Sequence, residues 1–407
     1  MHLPIRTIFL VSSLMSLSGC SMISALWPAQ EEVKTTTEQG SNPPSVQPIR
    51  AAAQSLASGP IQIIWNNNVD QRFPGSPMGF SLPVSAATAQ GERVVIGGQD
   101  KRVRIYDSRG SEVSRIALSD ACESGGLQLS NGLVVVGDLS GVIYGLDVQQ
   151  SKVVWRYNLP SALIGRPVAH GDGFIIQTSN NQLYRFSNKG EKIWSHSDGL
   201  GGLSMHLSPS PVVYNQRVYA ALSNGDVIAL KADSGSFIWK RQLLLSNKAS
   251  VMSQLKVPVA MPLLITKAQS GRDEDMLLVP VFQGDLSFLS LQDGSTLSRR
   301  KLSLKSSPIL IDRLVYVADS SGALSALNAA DGETVWKQQL SDGELTGPVL
   351  WKDSLWVADD KATVYRLSQT GELMASTDLN GRIDRAPVAG NHGILVRNNL
   401  GTLYMLR

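Results

Sequence analysis

From Ile61 onward, the chain repeats one order of hydrophobic and polar positions about every 40 residues. Each unit begins at a Pro-Val-like pair, continues into a short apolar run, and enters an alternating run after a tight turn. A second turn leads to a last run that often contains tryptophan. A short apolar run is typical of a strand buried on both faces, and alternation is typical of a strand with one buried face. The pattern therefore predicts units of four short strands.

Eight such units can be aligned, and glycine recurs at their two later turns. The units open at Pro83-Val84, Leu127, Pro167-Val168, Pro211-Val212, Pro262-Leu263, Pro308-Ile309, Pro348-Val349 and Pro387-Val388. The turn after the second predicted strand carries Gly141, Asn181, Gly225, Gly284, Gly322 or Gly401. The turn before the fourth carries Gly110, Ser151, Gly190, Gly235, Gly294, Gly332 or Gly371. Since glycine adopts positive φ at least cost, we expect positive φ at these positions.

A tryptophan follows the second of these turns by four residues in four units. These residues are Trp155, Trp194, Trp239 and Trp336, and the other units carry Ser114, Ser298 and Ala375 instead. A large aromatic side chain on an outer strand can pack against the neighbouring unit and close the seam between them. We expect this packing role for the tryptophans rather than the stacking of a ligand.

The two ends of the repeated region complement each other. The eighth unit ends at Arg407 after its third predicted strand, and Ile61–Trp65 has the character of the missing fourth strand. Pairing of these segments would close a ring and remove the exposed edges of an open sheet. The sequence therefore predicts an all-β, eight-bladed β-propeller of four-stranded antiparallel blades over residues 61–407. An open β-solenoid is the alternative fold, and it would not need complementary ends.

The N-terminal residues have the features of a bacterial lipoprotein leader. Arg6 precedes the apolar run Thr7–Leu17, which is too short to cross a bilayer. The run ends in Leu17-Ser18-Gly19-Cys20, which resembles a lipobox. We predict a signal peptide over 1–19, lipidation of Cys20 and a disordered tether over 20–60. Ser21 implies sorting to the periplasmic face of the outer membrane, and an ordinary export signal is the alternative.

Charge and candidate chemistry argue against several classes of function. The formal net charge is +3, which does not favour a nucleic-acid partner. The histidines lack the spacing of metal ligands, and Ser253-Gln-Leu-Lys256 lacks the supporting motifs of serine acyl-transfer enzymes. Apart from Cys20 the chain contains one cysteine, Cys122, which we expect to be buried and inert. The sequence therefore predicts no catalytic residues, no metal and no cofactor.

Asn328–Trp336 and Asp233–Trp239 resemble the repeat of the pyrroloquinoline-quinone-type propellers. One branch of that family, the quinoprotein dehydrogenases, holds its cofactor over a vicinal disulfide with calcium and a catalytic aspartate. This chain has no adjacent cysteines, so that branch is not favoured. The order of lipobox, tether and eight blades resembles the other branch, the BamB lipoproteins of the outer-membrane β-barrel assembly machinery.

The second resemblance implies a set of partner contacts. A Leu-Ser-Leu-Arg segment of that family contacts the central barrel subunit, and Leu203, Met205 and His206 lie at the matching positions. A family Asp-x-Asp pair corresponds to Val257 and Val259, so both carboxylates are absent here. The changes at His206, Val257 and Val259 alter the chemistry of the implied contact.

The resemblance implies a non-catalytic outer-membrane scaffold that faces the periplasm. It would dock the central β-barrel subunit of the machinery and assist unfolded outer-membrane proteins during insertion. The alternatives are a ligand- or cofactor-binding propeller, such as a cell-envelope enzyme, and a paralogue with another partner. The fifth unit also contains an extra segment, Lys267–Asp275. We expect this insertion to contact a partner from the same rim as Leu203, Met205 and His206.

Overall fold

Consecutive groups of four strands form eight separate antiparallel sheets. The computed structural model describes residues 59–70, 82–198, 209–243 and 258–407. The first strands of successive sheets lie against one another, as β10 (Val168–His170) does against β14 (Val212–Tyr214). The sheets are therefore the blades of a propeller, with first strands at its axis and fourth strands at its circumference. This arrangement confirms the predicted eight-bladed fold.

The first blade contains β2 (Val84–Thr88), β3 (Gly91–Gly97), β4 (Arg102–Asp107) and β5 (Glu112–Ala117). The second contains β6 (Leu127–Gln128), β7 (Val134–Gly137), β8 (Val142–Asp147) and β9 (Lys152–Asn158). The third contains β10, β11 (Gly173–Gln177), β12 (Gln182–Ser187) and β13 (Lys192–Ser197). The fourth contains β14, β15 (Arg217–Ala221), β16 (Asp226–Lys231) and β17 (Phe237–Gln242).

The fifth blade contains β18 (Leu263–Ile265), helix α1 (Lys267–Ser270), β19 (Met276–Val279), β20 (Leu286–Ser290) and β21 (Thr296–Arg300). The sixth contains β22 (Ile309–Ile311), β23 (Leu314–Ala318), β24 (Ala323–Asn328) and β25 (Thr334–Gln339). The seventh contains β26 (Leu345–Trp351), β27 (Ser354–Asp359), β28 (Thr363–Ser368) and β29 (Leu373–Asp378). The eighth contains β30 (Val388–Ala389), β31 (Ile394–Arg397), β32 (Thr402–Leu406) and β1 (Ile63–Asn68).

The second strands are buried along their whole length in most blades, as their continuous apolar character predicts. All residues of β7, β11 and β27 are buried. The outer strands alternate between exposed and covered positions, as β13 does. Among the described residues, no helix is long and apolar enough to cross a membrane.

Backbone conformation confirms most of the predicted turns. The turn residue before each fourth strand has positive φ, including Ser151 at 55°. The earlier hairpin follows the same rule, with Asn181 at φ 66° in place of glycine. The prediction is wrong for the fifth blade, because the positive φ there belongs to Gln283 at 53° and not to Gly284. The tight turn at that hairpin is centred one residue earlier than the glycine suggests.

The hydrophobic core is divided among the seams between blades. Each of the eight core clusters combines residues from two neighbouring blades. Ile175 and Leu183 of the third blade, for example, pack with Val218 and Ile228 of the fourth. Each blade therefore buries its faces only by stacking against its neighbours.

The tryptophans pack across these seams, as predicted. Trp194 of the third blade donates from Nε1 to the carbonyl oxygen of Ala232 in the fourth blade, at 2.8 Å. A Cβ added to Gly235 would lie 2.8 Å from the Trp194 ring, so that turn has room only for glycine. Four other tryptophan rings lie equally close to a turn glycine of the next blade: Trp65 to Gly110, Trp155 to Gly190, Trp239 to Gly294 and Trp336 to Gly371.

The ring closes through the N-terminal strand of the propeller. β1 pairs antiparallel with β32 and becomes the outer strand of the eighth blade. A buried ion pair strengthens the closure, because Arg397 of β31 contacts Asp70 just after β1. The same guanidinium donates to the carbonyl oxygen of Gly97 in the first blade, at 3.0 Å. Asp70 also accepts a hydrogen bond from the backbone nitrogen of Gln99, at 2.8 Å.

Cys122 is buried in the seam between the first and second blades. Its burial raises the pKa of the thiol to about 12, and the nearby Ser124 hydroxyl opposes this only in part. A Cβ on Gly97 would overlap the sulfur atom, so the thiol fills space that Gly97 leaves open. The burial confirms the expected packing position of Cys122.

Gly235→Ala should destabilise the ring more than Gly132→Ala. Both glycines have positive φ, 69° and 86°, so an alanine at either position costs about 1–3 kcal/mol in backbone strain. Only Gly235 lies against an indole, whereas nothing lies within 4 Å of a Cβ at Gly132. Chemical denaturation measures both losses. In a Trp194→Ala background the excess loss at Gly235 should shrink, and equal losses in the wild-type background would contradict the steric explanation.

In a full chain with Cys20→Ser, Cys122 should resist thiol reagents at pH 8 while the ring is folded. The reacting species is the thiolate, and burial raises the pKa of Cys122 to about 12. Ellman's reagent should therefore report almost no reactive thiol in native buffer and one thiol per chain in denaturant. Rapid native labelling would show that the seam between the first two blades opens readily.

Candidate partner-binding surface at the channel mouth

The alternation of strand directions assigns every connection to one of two rims. A connection from the fourth strand of one blade to the first strand of the next lies at one rim, here called the connection rim. The turns between second and third strands lie at the same rim. The turns between first and second strands, and between third and fourth strands, lie at the opposite rim. The blades are antiparallel throughout, so this assignment holds around the ring.

The residues just before the first strands converge on a cavity at the axis, here called the channel mouth. Seven blades contribute to its lining, and its volume is about 120 Å³. Its apolar side includes Leu82, Ile164, Val259 and Met261. Its charged lining residues are Glu123, Arg166, Lys305, Asp384 and Arg385. The channel mouth thus brings together side chains from nearly the whole ring.

Several cations at the channel mouth have carboxylate neighbours. Lys305 forms an ion pair with Glu344 and lies 5.3 Å from the centre of the Phe282 ring. Burial nevertheless lowers the pKa of Lys305 below its ordinary value. Arg382 forms an ion pair with Asp384 at 2.6 Å, and this hydrogen bond raises the pKa of the guanidinium. Glu344 and Asp384 therefore balance the charges of Lys305 and Arg382, although Arg382 does not itself line the cavity.

Arg385 and Glu123 belong to the same lining. Burial lowers the pKa of Arg385, while the charges of Glu123 and Asp384 act in the opposite direction. Glu123 also accepts a hydrogen bond from Gln99 at 3.0 Å. The carboxylates of the mouth are therefore already engaged with groups of the ring.

Arg166 is held in position mainly by its backbone and by the shape of its surroundings. Its backbone nitrogen donates to the hydroxyl of Ser210 at 2.9 Å, which ties the third blade to the fourth. Its side chain crosses Gly125, where an added Cβ would lie 3.0 Å from Nε. Burial lowers the pKa of Arg166, and no charged group opposes this effect. Arg166 was not predicted as a functional residue, and its only signal in the sequence is an arginine directly before a Pro-Val pair.

Most of the partner-binding residues predicted from sequence lie outside the described ranges. These are Leu203, Met205, His206 and Val257, together with the predicted lipidation site Cys20. The described residues that flank them, such as Pro209 and Val259, line the channel mouth. Val259 is only 5% exposed, so it offers little surface to a partner. Met261 is 41% exposed at the same lining and was not identified from the sequence.

The insertion 267–275 forms a capped helical turn, α1, within the first-to-second-strand connection of the fifth blade. Thr266 caps it, and the backbone nitrogen of Lys267 donates to Asp275 at 2.7 Å. It borders a groove of about 380 Å³ with Tyr214 and Arg217 of the fourth blade. A first-to-second-strand connection lies at the rim opposite to that of Asp198 and Pro209, whereas Leu203, Met205 and His206, with which the insertion was expected to share a rim, lie outside the described residues.

The remaining candidate chemistry is structural in the described part of the chain. No group of three or more His, Cys, Asp or Glu residues there could hold a metal ion. His170 contacts Asp233 of the fourth blade at 3.2 Å, and His392 contacts Glu92 of the first blade at 3.3 Å. Both histidines therefore join one blade to the next.

Comparisons with known proteins agree with this architecture. The chain is 24% identical over 395 residues to the outer membrane protein assembly factor BamB of Yersinia pestis, with 95% of each chain covered. The structure of BamB from Moraxella catarrhalis matches with a TM-score of 0.70 at 19% identity, covering 85% of this chain and 99% of that chain. A quinohemoprotein alcohol dehydrogenase from Pseudomonas putida HK5 matches with a TM-score of 0.66 at 12% identity, covering 85% and 76%.

Structural likeness at such identities shows the fold alone, so the family assignment depends on sequence. The family model described as outer membrane protein assembly factor BamB matches residues 99–338 and 320–406. The matched ranges include every blade from the second to the seventh, the last two strands of the first blade and three of the four strands of the eighth. The chain therefore belongs to the family of the outer membrane protein assembly factor BamB.

Proposed function

We propose that this chain is a non-catalytic assembly factor for outer membrane proteins, anchored by lipid at the periplasmic face of the outer membrane. The observation that carries the proposal is the family match over residues 99–406. The near-complete alignment with the Yersinia pestis relative supports it, because the correspondence is not limited to a few repeats. The lipobox-like segment that ends at Cys20 supports the anchor.

The scaffold docks the central barrel subunit of the assembly machinery by its connection rim. The predicted contact residues Leu203, Met205 and His206 belong to a connection between blades, as does Val257. The channel mouth at this rim combines apolar and charged side chains, as protein interfaces commonly do. Unfolded outer membrane proteins are the clients of the assembled machinery.

A cofactor-dependent enzyme is the second candidate, because a quinohemoprotein alcohol dehydrogenase shares the fold. The features of this chain support a cofactor-dependent enzyme less than they support an assembly factor. Fold alone does not assign an activity. Cys122 is buried, its thiol pKa is raised to about 12, and the sequence has no second cysteine beside it. The channel mouth, at about 120 Å³, is smaller than the roughly 300–1,000 Å³ typical of small-molecule sites.

Cys20→Ala should move the protein from the membrane fraction to the soluble periplasmic fraction. Without the thiol there is no attachment point for the acyl chains, which hold a lipoprotein on the bilayer. Fractionation followed by immunoblotting measures the distribution, and Cys122→Ala is the matched control that should stay with the membrane. Retention of the Cys20→Ala protein in the membrane fraction would contradict the lipid anchor.

Leu203→Asp should strongly reduce recovery of the central barrel subunit when the chain is affinity-purified from detergent-solubilised membranes. A buried carboxylate in an apolar contact is unfavourable without a counter-charge. Leu373→Asp is the matched control, since Leu373 lies on outer strand β29 and is already 46% exposed. Quantitative mass spectrometry compares the two variants with the wild type. If the wild type recovers no barrel subunit, the proposed partner is wrong.

A further inference from the structure

Arg166 at the channel mouth is a partly buried cation that forms no ion pair with a carboxylate of the described residues. Its Nη2 donates to the carbonyl oxygen of Pro83 at 3.4 Å, longer than an ordinary hydrogen bond. Its Nε is buried and has no hydrogen-bond partner among the described residues. Burial lowers its pKa, and no carboxylate of the described chain lies close enough to reverse this. The guanidinium therefore presents unused donors to the cavity.

Other cations at or near the channel mouth differ from Arg166, because carboxylates act on each of them, including Arg385. Lys305 is paired with Glu344, Arg382 with Asp384, and Arg397 with Asp70. Burying a charge without a partner is costly, because the lost hydration is not replaced. A counter-charge for Arg166 must then come from outside the described residues.

The undescribed internal segments cannot supply that counter-charge. Residues 71–81, 199–208 and 244–257 contain no aspartate or glutamate. They contain cations instead, namely Arg72, Lys248 and Lys256. All three segments stand in the sequence between a fourth strand and the next first strand. Two of them carry a net positive charge, and 199–208 contains neither lysine nor arginine.

The dimensions of the channel mouth restrict the chemistry of what binds there. A volume of about 120 Å³ accommodates a side chain but not a molecule of cofactor size. Ile164 and Met261 line the cavity beside the guanidinium. A carboxylate on a short alkyl stem matches both parts of this lining, and arginine binds carboxylates with paired donors.

We propose that the channel mouth receives an acidic side chain, aspartate or glutamate, of the docked protein partner, and that Arg166 binds its carboxylate. The inference rests on the proposed docking of the barrel subunit at the connection rim. It adds that the part of the partner's surface that faces the propeller axis is acidic. On docking, the partner's carboxylate supplies Arg166 with the counter-charge that the ring does not provide.

The test compares binding of the purified periplasmic domains of the organism's central barrel subunit to full-length wild-type chain and to Arg166→Gln. Titration calorimetry at low and moderate NaCl should show about tenfold or greater weakening for Arg166→Gln. The salt dependence of its affinity should also be smaller, because one ion pair is lost. Arg109→Gln is the matched control, since Arg109 is exposed in a turn of the opposite rim, and it should bind like the wild type.

Thermal unfolding of the free proteins separates binding from folding. Arg166→Gln should have a Tm equal to or above the wild type, because an unbalanced buried charge has been removed. A Tm loss that accompanies the weaker binding would assign Arg166 a structural role and overturn the inference. Equal affinities of the wild type and Arg166→Gln would also overturn it, while leaving the proposed function intact. Absence of wild-type binding would overturn both.

The N-terminal segment contains the only acidic residues outside the described ranges, Glu31, Glu32 and Glu38. A triple Glu→Gln variant at these positions examines whether the chain fills its own channel mouth. We expect its Tm and its affinity for the barrel subunit to match the wild type. If the triple substitution changes the Tm of the wild type but not that of Arg166→Gln, the N-terminal segment, and not the partner, provides the carboxylate.

Discussion

The contact between a tryptophan of one blade and the turn glycine of the next sets the spacing on which the ring depends. The indole of Trp194 occupies the space that a side chain at position 235 would need. Its Nε1 donates a hydrogen bond to the carbonyl oxygen of Ala232, which also fixes the position of this turn. Because every core cluster lies between two blades, these seams supply the cohesion that a blade lacks on its own. The closure by β1 extends the arrangement to the last seam, where Trp65 crowds Gly110.

The exceptions show that space, and not residue type, is what the seam requires. The first blade has Ser114 at the tryptophan position, and the next blade has Ser151 at the glycine position. Ser151 keeps the turn with φ 55° and tolerates a Cβ there. At the fifth seam Ser298 replaces the tryptophan, yet Gly332 is retained because the Phe288 ring would lie 2.7 Å from its Cβ. Each turn residue is therefore matched to whatever the preceding blade places against it.

The blade number, the strand order and the closure could be predicted because they depend on patterns that recur within one unit. Strand parity also determines the rim of the insertion 267–275 once the four-stranded unit is known. Gly284 was assigned the turn that Gln283 makes, since a glycine beside a turn is indistinguishable from one within it. Arg166 could not be found, because its environment is assembled from segments of seven blades that are distant in sequence. Local pattern predicts strands and turns, whereas the electrostatics of the axis depends on the closed ring.

Stability and recognition are separated within this ring. The core clusters lie in the seams between blades, and they contain none of the residues that line the channel mouth. A rigid ring can hold Arg166 in a fixed position despite the unfavourable burial of its charge. A carboxylate of the chain placed against Arg166 would stabilise the free protein but would occupy the donors that the guanidinium offers to a partner. The unbalanced cation at the channel mouth is therefore consistent with selection for binding rather than for the stability of the isolated propeller.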